Sequence, residues 1–296
     1  MIMNRRSLIK SCVALGGISL LNMNSILAAA IGNGGLQLAT DAPKGSVDKN
    51  ILEARKKIRR RTRRIIMNND GNDASISPGK AVSPELFLSK RTTALIDSQV
   101  DSIFYCNGVN YVYTHHSKLT ELRSGESTLH LIRGLEAIET DTLSVMINFC
   151  KQHGKEIFWS MRMNDNHDAT NEYSRISKFK KQNPHLLIGK KGVKMPYMYN
   201  KWSVFDYGLP EVRQLAVDIL TDVVTRYDVD GIELDFFRHP AYFKGQFYGE
   251  PVTQDDCNKI TQMVRNIRAM CDTESVRRGR PVLIAIRVPD SRPFAK

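Results

Sequence analysis

The sequence of 296 residues predicts an α/β fold of the (β/α)8 barrel type with five βα units. Two observations carry this prediction. Strand-like and helix-like patterns alternate through residues 62–296, which is typical of right-handed βαβ units and a parallel sheet. The long connecting segments also all follow strands, and in a barrel the loops at this end of the strands form the functional face. These segments cover residues 68–82, 106–133, 163–208 and 237–252.

Five short apolar runs are the predicted strands, and polar or turn-forming residues follow them. They cover residues 63–69, 100–108, 155–165, 229–236 and 280–289. Such units could also form an open, doubly wound sheet. A complete barrel places eight strands in about 200–250 residues, whereas residues 62–296 supply five. We therefore expect the N-terminal part of a barrel that lacks its last strands, as in a truncated or frameshifted reading frame.

Four helices are predicted from apolar spacing and from the residues at their ends. They cover residues 83–96, 134–154, the segment that starts at 209 and the segment that starts at 253. Ser83 and Pro84 suit the cap and the first position of the first helix, and Gly154 suits the end of the second. Pro210 lies near the start of the third. Thr253 begins the fourth and has an acid three residues later, as in a capping box.

Residues 1–30 have the parts of an export signal: a basic start, a short apolar stretch and a small-residue end. The pair Arg5-Arg6, with the residues that follow it, resembles a twin-arginine signal. The apolar stretch is interrupted by glycine and asparagine and is too short to predict a transmembrane helix. We expect export to the periplasm or the cell exterior, with no stable membrane anchor after cleavage. An uncleaved anchor is the alternative.

The net charge of +12 is concentrated near the N-terminus. Residues 1–64 hold 13 Lys or Arg and 3 Asp or Glu, a balance of +10, and the other residues hold 30 and 28, a balance of +2. The charge therefore belongs to the signal and to the basic end of a linker predicted at residues 31–61. Residues 62–296 form a nearly neutral folded domain, for which we expect no nucleic-acid partner.

The most informative segment is DVDGIELDFFRHP at residues 228–240, which contains the predicted fourth strand. Side chains alternate along a strand, so Glu233 and Asp235 share one face while Ile232 and Leu234 share the other. Both faces of such a strand are covered in a parallel α/β sheet. Two carboxyl groups there are costly unless they are paired, hydrated or functional. This strand is therefore the predicted place of the chemistry.

Other strands also end in polar groups, and the ends of parallel neighbours should line one pocket. The carboxyl groups with candidate catalytic roles are Asp235, Asp165 and Glu233. The candidates for contact with a substrate are Asp70, Arg162, Asn164, His167, Tyr207, Arg238, His239 and Arg287.

Residues 205–240 resemble the family-10-like group of glycoside-hydrolase-like barrel proteins. The resemblance rests on a Pro-Glu-Val-Arg helix start, the run Tyr-Asp-Val-Asp-Gly-Ile and an acid at the strand end. Residues 63–70 and 156–165 fit less specifically. The resemblance implies a barrel that acts on glycosidic bonds of an oligosaccharide or polysaccharide, with Asp235 in the place of the group's strand-end acid. Glu233 departs from the commonest residue of that group.

Glycoside hydrolysis generally uses two carboxyl groups that flank the scissile bond. Asp235 is predicted to be the nucleophile or the stabiliser of the transition state. Glu233 lies deeper and is interpreted as a supporting group, paired with Arg162 or Arg287. The acid/base is Asp165 or a residue on a missing strand.

Two other functions are open. A non-catalytic barrel would bind carbohydrate, or serve a structural role, and its acids would form an ion network with arginines. A metal-assisted hydrolase would use Asp165, His167 and Asp235, but no HxH or HExxH motif accompanies them. We therefore expect no metal and no cofactor. The aromatic-rich loop at 197–207 favours a carbohydrate substrate, because the apolar faces of sugar rings stack on aromatic side chains.

Overall fold

The computed structural model describes residues 48–169, 176–193 and 202–289. The predicted signal peptide and the first part of the predicted linker lie outside these ranges. The strands of the described residues are β1 (Ile65–Asn69), β2 (Val100–Tyr105), β3 (Gly108–Val109), β4 (Val112–Tyr113), β5 (Glu121–Leu122), β6 (Glu156–Arg162), β7 (Gly231–Asp235) and β8 (Leu283–Arg287).

One parallel sheet of five strands, in the order β1-β2-β6-β7-β8, organises the described part of the chain. Each of the five predicted strands is present, and each pairs with the next one along the chain, as in a barrel. The structure therefore confirms the predicted α/β fold, with the strands of a partial barrel. The short strands β3, β4 and β5 form a separate sheet in the connection after β2.

The helices of the described residues are α1 (Lys49–Arg59), α2 (Pro84–Leu88), α3 (Glu126–Glu136), α4 (Thr142–Gln152), α5 (Lys178–Gln182), α6 (Pro210–Arg226), α7 (Lys244–Phe247) and α8 (Gln254–Arg278). Two capping predictions are confirmed. The hydroxyl of Ser83 accepts a hydrogen bond from the N–H of Leu86 at 3.1 Å. Thr253 and Asp256 form a reciprocal capping box at the start of α8. None of the helices in the described ranges is long and apolar enough to cross a membrane.

Two predicted helices differ from those observed. The helix predicted at 134–154 is two helices, α3 and α4. The chain turns at Glu139, which has a φ of 56°, and Asp141 then caps α4 by accepting a hydrogen bond from the N–H of Ser144 at 2.8 Å. The helix predicted at 83–96 is shorter, because α2 ends at Leu88. In both segments the helical spacing of apolar residues continues past the point where the helix ends, so the sequence pattern did not show these ends.

Part of the predicted linker is helical, which corrects the interpretation of residues 31–61. Asp48 caps α1, and Ile51 is buried. Ile58 packs against an apolar cluster on the sheet, and Arg55 forms an ion pair with Asp272 of α8. These contacts attach α1 to the folded domain, since apolar burial stabilises a short helix more than its intrinsic propensity does.

The two faces of the sheet are packed differently. Alternate residues such as Trp159 and Leu234 belong to the large core shared with the helices. On the inner face, Phe104 and Phe158 stack with ring centroids 4.4 Å apart and pack with Leu283. The carboxyl ends of the strands lie beyond this inner cluster, so it supports the floor of the site.

The outer strands of the five-stranded sheet are open in the described part of the chain. There, β1 pairs with β2 alone and β8 with β7 alone. Apolar side chains at both edges are accessible, with Ile66 48% and Ile286 50% exposed. The described sheet is therefore an arc of a barrel wall with two accessible edges.

Gly71 is predicted to be essential for the turn after β1. Its φ is 68°, and an added Cβ would lie 2.2 Å from the carbonyl oxygen of Cys106. The substitution Gly71→Ala should lower the free energy of unfolding by more than about 2 kcal/mol, because backbone strain and steric overlap add. Unfolding in denaturant measures this loss.

Gly79→Ala is the matched control. Gly79 also has a positive φ, of 88°, but an added Cβ would meet no atom within 4 Å. Its cost should be about 1 kcal/mol, from the backbone conformation alone. Equal losses in the two variants would contradict the steric argument.

Candidate functional site

The register of three strands aligns the site. Arg162 of β6, Asp235 of β7 and Arg287 of β8 are direct neighbours at the carboxyl ends of the strands. Two residues earlier, Ser160 and Glu233 are neighbours in the layer below. Parallel in-register strands place such residues side by side on one face. The sheet therefore brings the predicted acids and arginines together, as expected from the sequence.

Asp235 is a buried carboxyl group held from both sides. One oxygen accepts hydrogen bonds from the backbone N–H groups of Phe237 and Arg238, at 3.0 and 3.1 Å. The other lies 3.5 Å from Nη1 of Arg287. The chain thus turns around its own strand-end acid, and this turn fixes the direction of the carboxyl group.

Glu233 is also buried. The Ser160 hydroxyl donates a hydrogen bond to it. Burial raises the pKa of Glu233, and the nearby Asp235 raises it further, against the opposing effects of Ser160 and Arg287. The predicted pairing with Arg162 or Arg287 is corrected to a hydrogen bond with Ser160, because the arginines bind the carboxylates at the strand ends.

Asp165 lies at the centre of a dense hydrogen-bond network. Its Oδ1 accepts from the side chain of Asn110 at 3.0 Å and from the backbone N–H of His167 at 2.8 Å. Nη1 of Arg162 donates to Oδ2 at 3.0 Å. The side chain of Asp165 is almost fully buried, so each of these contacts is shielded from water.

The pKa of Asp165 is held well below its usual range. Burial alone would raise it, but hydrogen bonds from His167 and the charge of Arg162 outweigh burial. Asp165 is therefore a carboxylate at neutral pH. A group that must donate a proton needs the opposite shift, so this geometry does not suit the predicted acid/base role.

Two histidines lie beside Asp165, and a second acid contacts the same arginine, Arg162. Nδ1 of His167 lies 2.8 Å from its Oδ1, and Nε2 of His239 lies 3.7 Å from its Oδ2. The two imidazole rings are arranged edge to face with centroids 5.0 Å apart. Asp70 lies 3.3 Å from Nη2 of Arg162. The structure thus brings together predicted site residues from three strand ends.

Two predicted substrate contacts have structural roles instead. The amide of Asn164 is buried and binds three backbone groups: the N–H and C=O of Phe205 and the C=O of Ala241. The buried hydroxyl of Tyr207 donates to the backbone oxygen of Met163. Because these polar groups are already paired with protein atoms, both residues position the loops around the site.

The aromatic-rich loop is described only in part. Residues 197–201 lie outside the described ranges. Trp202 and Tyr207 are buried, so they are not stacking surfaces for sugar rings. Phe237, which follows β7, is instead exposed, and the guanidinium of Arg287 lies 5.5 Å from its ring centroid.

The sequence interpretation missed a buried ion pair behind the site. Nζ of Lys180 donates to Asp168 at 2.8 Å and to Asn110 at 2.7 Å, and Ser203 donates to the other oxygen of Asp168. Burial lowers the pKa of Lys180, and the charge of Asp168 opposes that shift. Asn110 had one local signal, a turn-forming residue type that here has a φ of 55°. The pairing of Lys180 with Asp168 had no local signal.

The fold and the strand-end carboxyl groups define a protein of the glycoside-hydrolase-like barrel class. Residues 103–267 match the family described as glycosyl hydrolase-like 10. This match covers more than half of the chain, so the chain belongs to that family. The resemblance predicted from residues 205–240 is thereby confirmed. No curated protein sequence matches the chain.

Several solved glycosidases are similar to the chain in fold. Alpha-L-fucosidase isoenzyme 2 from Paenibacillus thiaminolyticus is 18% identical over 75% of this chain and 32% of its own, with a TM-score of 0.46. A glycoside hydrolase family 18 N-acetylglucosaminidase from Paenibacillus barengoltzii is 15% identical over 79% and 48%, with a TM-score of 0.39. The α-galactosidase AgaA from Geobacillus stearothermophilus is 11% identical over 77% and 28%, with a TM-score of 0.41. The chain spans less than half of the length of each.

The raised pKa of Glu233 predicts a pH-dependent stability difference. The pKa of Glu233 is higher in the folded protein than in the unfolded chain, where it is near 4.3. The protonated side chain therefore contributes its full stabilisation below pH 4.3. This contribution is lost as the pH rises through the folded-state pKa. Glu233→Gln keeps the side chain neutral and can still accept from Ser160. The variant should therefore be more stable than the wild type at pH 7, and this advantage should disappear near pH 4.

Denaturant unfolding of both proteins at a series of pH values measures this difference. Glu53→Gln, at an exposed position on α1, is the control and should show little change across the series. An advantage of Glu233→Gln that stays constant with pH would show that the burial of Glu233 does not favour its protonated form.

Proposed function

We propose that the protein is an exported enzyme that hydrolyses glycosidic bonds of an oligosaccharide or polysaccharide. The observation that carries this proposal is the position of Asp235. It is a buried carboxyl group at the carboxyl end of a barrel strand, on the inner face, in a chain of the glycosyl hydrolase-like 10 family. The twin-arginine-type pattern of residues 1–30 supports export to the periplasm or the cell exterior.

In this proposal, the carboxylate of Asp235 acts at the anomeric carbon of the sugar. Two backbone N–H groups and Arg287 orient its oxygens. A carboxylate fixed in this way can attack the anomeric carbon, activate a water molecule, or stabilise the positive charge that develops in the transition state. Arg287 and the exposed ring of Phe237 form one wall beside it and offer a hydrogen-bond donor and an apolar face.

Glu233 is the proton donor in this proposal. Burial raises its pKa, which is the direction of shift that favours a proton donor. It lies on the same face as Asp235 and two residues away, a backbone separation of about 6.5–7 Å. Asp165 is less suitable, because its oxygens already accept hydrogen bonds from protein groups.

Carbohydrate binding without hydrolysis is the second candidate. Two of the three candidate carboxyl groups, Asp165 and Glu233, already form hydrogen bonds with protein side chains. Asp235 is bonded to backbone N–H groups instead. A single available carboxyl group suits binding better than a reaction that uses two. In that function the arginines at the strand ends would bind sugar hydroxyl groups. Saturable binding of a saccharide without any turnover would support it.

The catalytic assignment predicts the effect of one amide substitution. Asp235→Asn should keep the hydrogen bonds from the backbone but lower kcat/KM by about 10²–10⁴, because the amide cannot act as a nucleophile or base. The measurement is the release of reducing ends from a panel of oligosaccharides by the full-length protein.

Asp255→Asn is the matched control, at an exposed position in the first turn of α8. It should leave the rate unchanged. Full activity of Asp235→Asn would show that another carboxyl group acts at the reacting carbon.

A further inference from the structure

A carboxylate and two imidazoles converge beside the strand ends. One candidate ligand atom from each of Asp165, His167 and His239 lies within 4.8 Å of the other two. These residues come from the loops that follow β6 and β7, and the backbone N–H of Met163 binds the carbonyl oxygen of Asp235 at 3.0 Å. This hydrogen bond joins the two loops where the cluster forms.

The spacing of the three groups is close to that of ligands around one metal ion. Nδ1 of His167 lies 2.8 and 3.0 Å from the two oxygens of Asp165, and Nε2 of His239 lies 3.7 Å from Oδ2. Nitrogen and oxygen ligands about 2.0–2.2 Å from a zinc ion are about 3–3.5 Å apart. Small side-chain movements would therefore bring all three to bonding distance.

Burial differs among the three groups in a way that suits an open site. The side chain of Asp165 is 1% exposed and that of His239 is 12% exposed, whereas that of His167 is 51% exposed. An ion can enter from the side of His167 and keep water as further ligands. Asn110 and Arg162 each donate a hydrogen bond to Asp165, and outer partners of this kind orient a ligating carboxylate.

We propose that Asp165, His167 and His239 form a binding site for a divalent transition-metal ion such as Zn²⁺. Imidazole nitrogen and carboxylate oxygen suit zinc and its first-row neighbours, whereas Ca²⁺ and Mg²⁺ prefer oxygen ligands alone. The metal hypothesis from the sequence used Asp165, His167 and Asp235. In the proposed site, His239 replaces Asp235 as the third ligand. The site goes beyond the proposed hydrolysis and does not depend on it, since the ion can bind whether or not Asp235 is catalytic.

Metal titration of the full-length protein tests the proposal. After treatment with a chelator and removal of that chelator, the protein is titrated with Zn²⁺ by calorimetry and with Co²⁺ by visible absorption. We expect one equivalent of Zn²⁺ and a Co²⁺ spectrum with nitrogen ligands. His167→Gln and His239→Gln should each weaken binding at least tenfold, as loss of one of three protein ligands requires.

His185→Gln, at an exposed position outside the cluster of Asp165, His167 and His239, is the matched control and should bind as the wild type does. Circular dichroism of each variant confirms that the fold is kept. Absence of stoichiometric binding by the wild type, or equal affinity in His167→Gln, His239→Gln and the control, would overturn the proposal. Because no substrate is used, failure here is distinguishable from a lack of glycosidase activity.

Discussion

The parallel register of β6, β7 and β8 is the constraint on which the site depends. It places Arg162, Asp235 and Arg287 in one layer and Ser160 with Glu233 in the layer below. A shift of one residue in this pairing would turn both acids toward the apolar helices, where a charged carboxyl group is costly. The apolar residues of β7 on the opposite face, such as Leu234, therefore also keep the acids on the inner face.

Buried polar networks hold the loops that follow the aligned strands. Asp165 ties the end of β6 to Asn110, and Lys180 ties Asn110 to Asp168. Removing one member of such a network leaves a buried charge without its partner, which costs several kcal/mol. The loops at the strand ends are thus held by electrostatic pairing, and this pairing also fixes Asp165 of the proposed metal site.

Much of the fold could be predicted from local patterns. All five main strands and the capped start of α8 lie where apolar runs and end signals placed them. The prediction was wrong where the end or the existence of a helix depends on contacts with residues distant in the sequence. The helix predicted at 134–154 is divided at Asp141, and α1 forms within a predicted linker because Ile58 finds an apolar cluster on the sheet. Apolar periodicity shows that a residue can be buried but does not identify the surface that buries it.

The sequence alone determined the place of Asp235 and Glu233, because alternation along a strand is a local property of the backbone. It also determined the family resemblance that residues 103–267 confirm. Only the tertiary structure decided the partners: Ser160 for Glu233, Arg287 for Asp235, and His239 beside His167 and Asp165. Such pairs join residues far apart in the chain, and their pKa shifts follow from burial and charge, which exist only once the strands and loops have assembled.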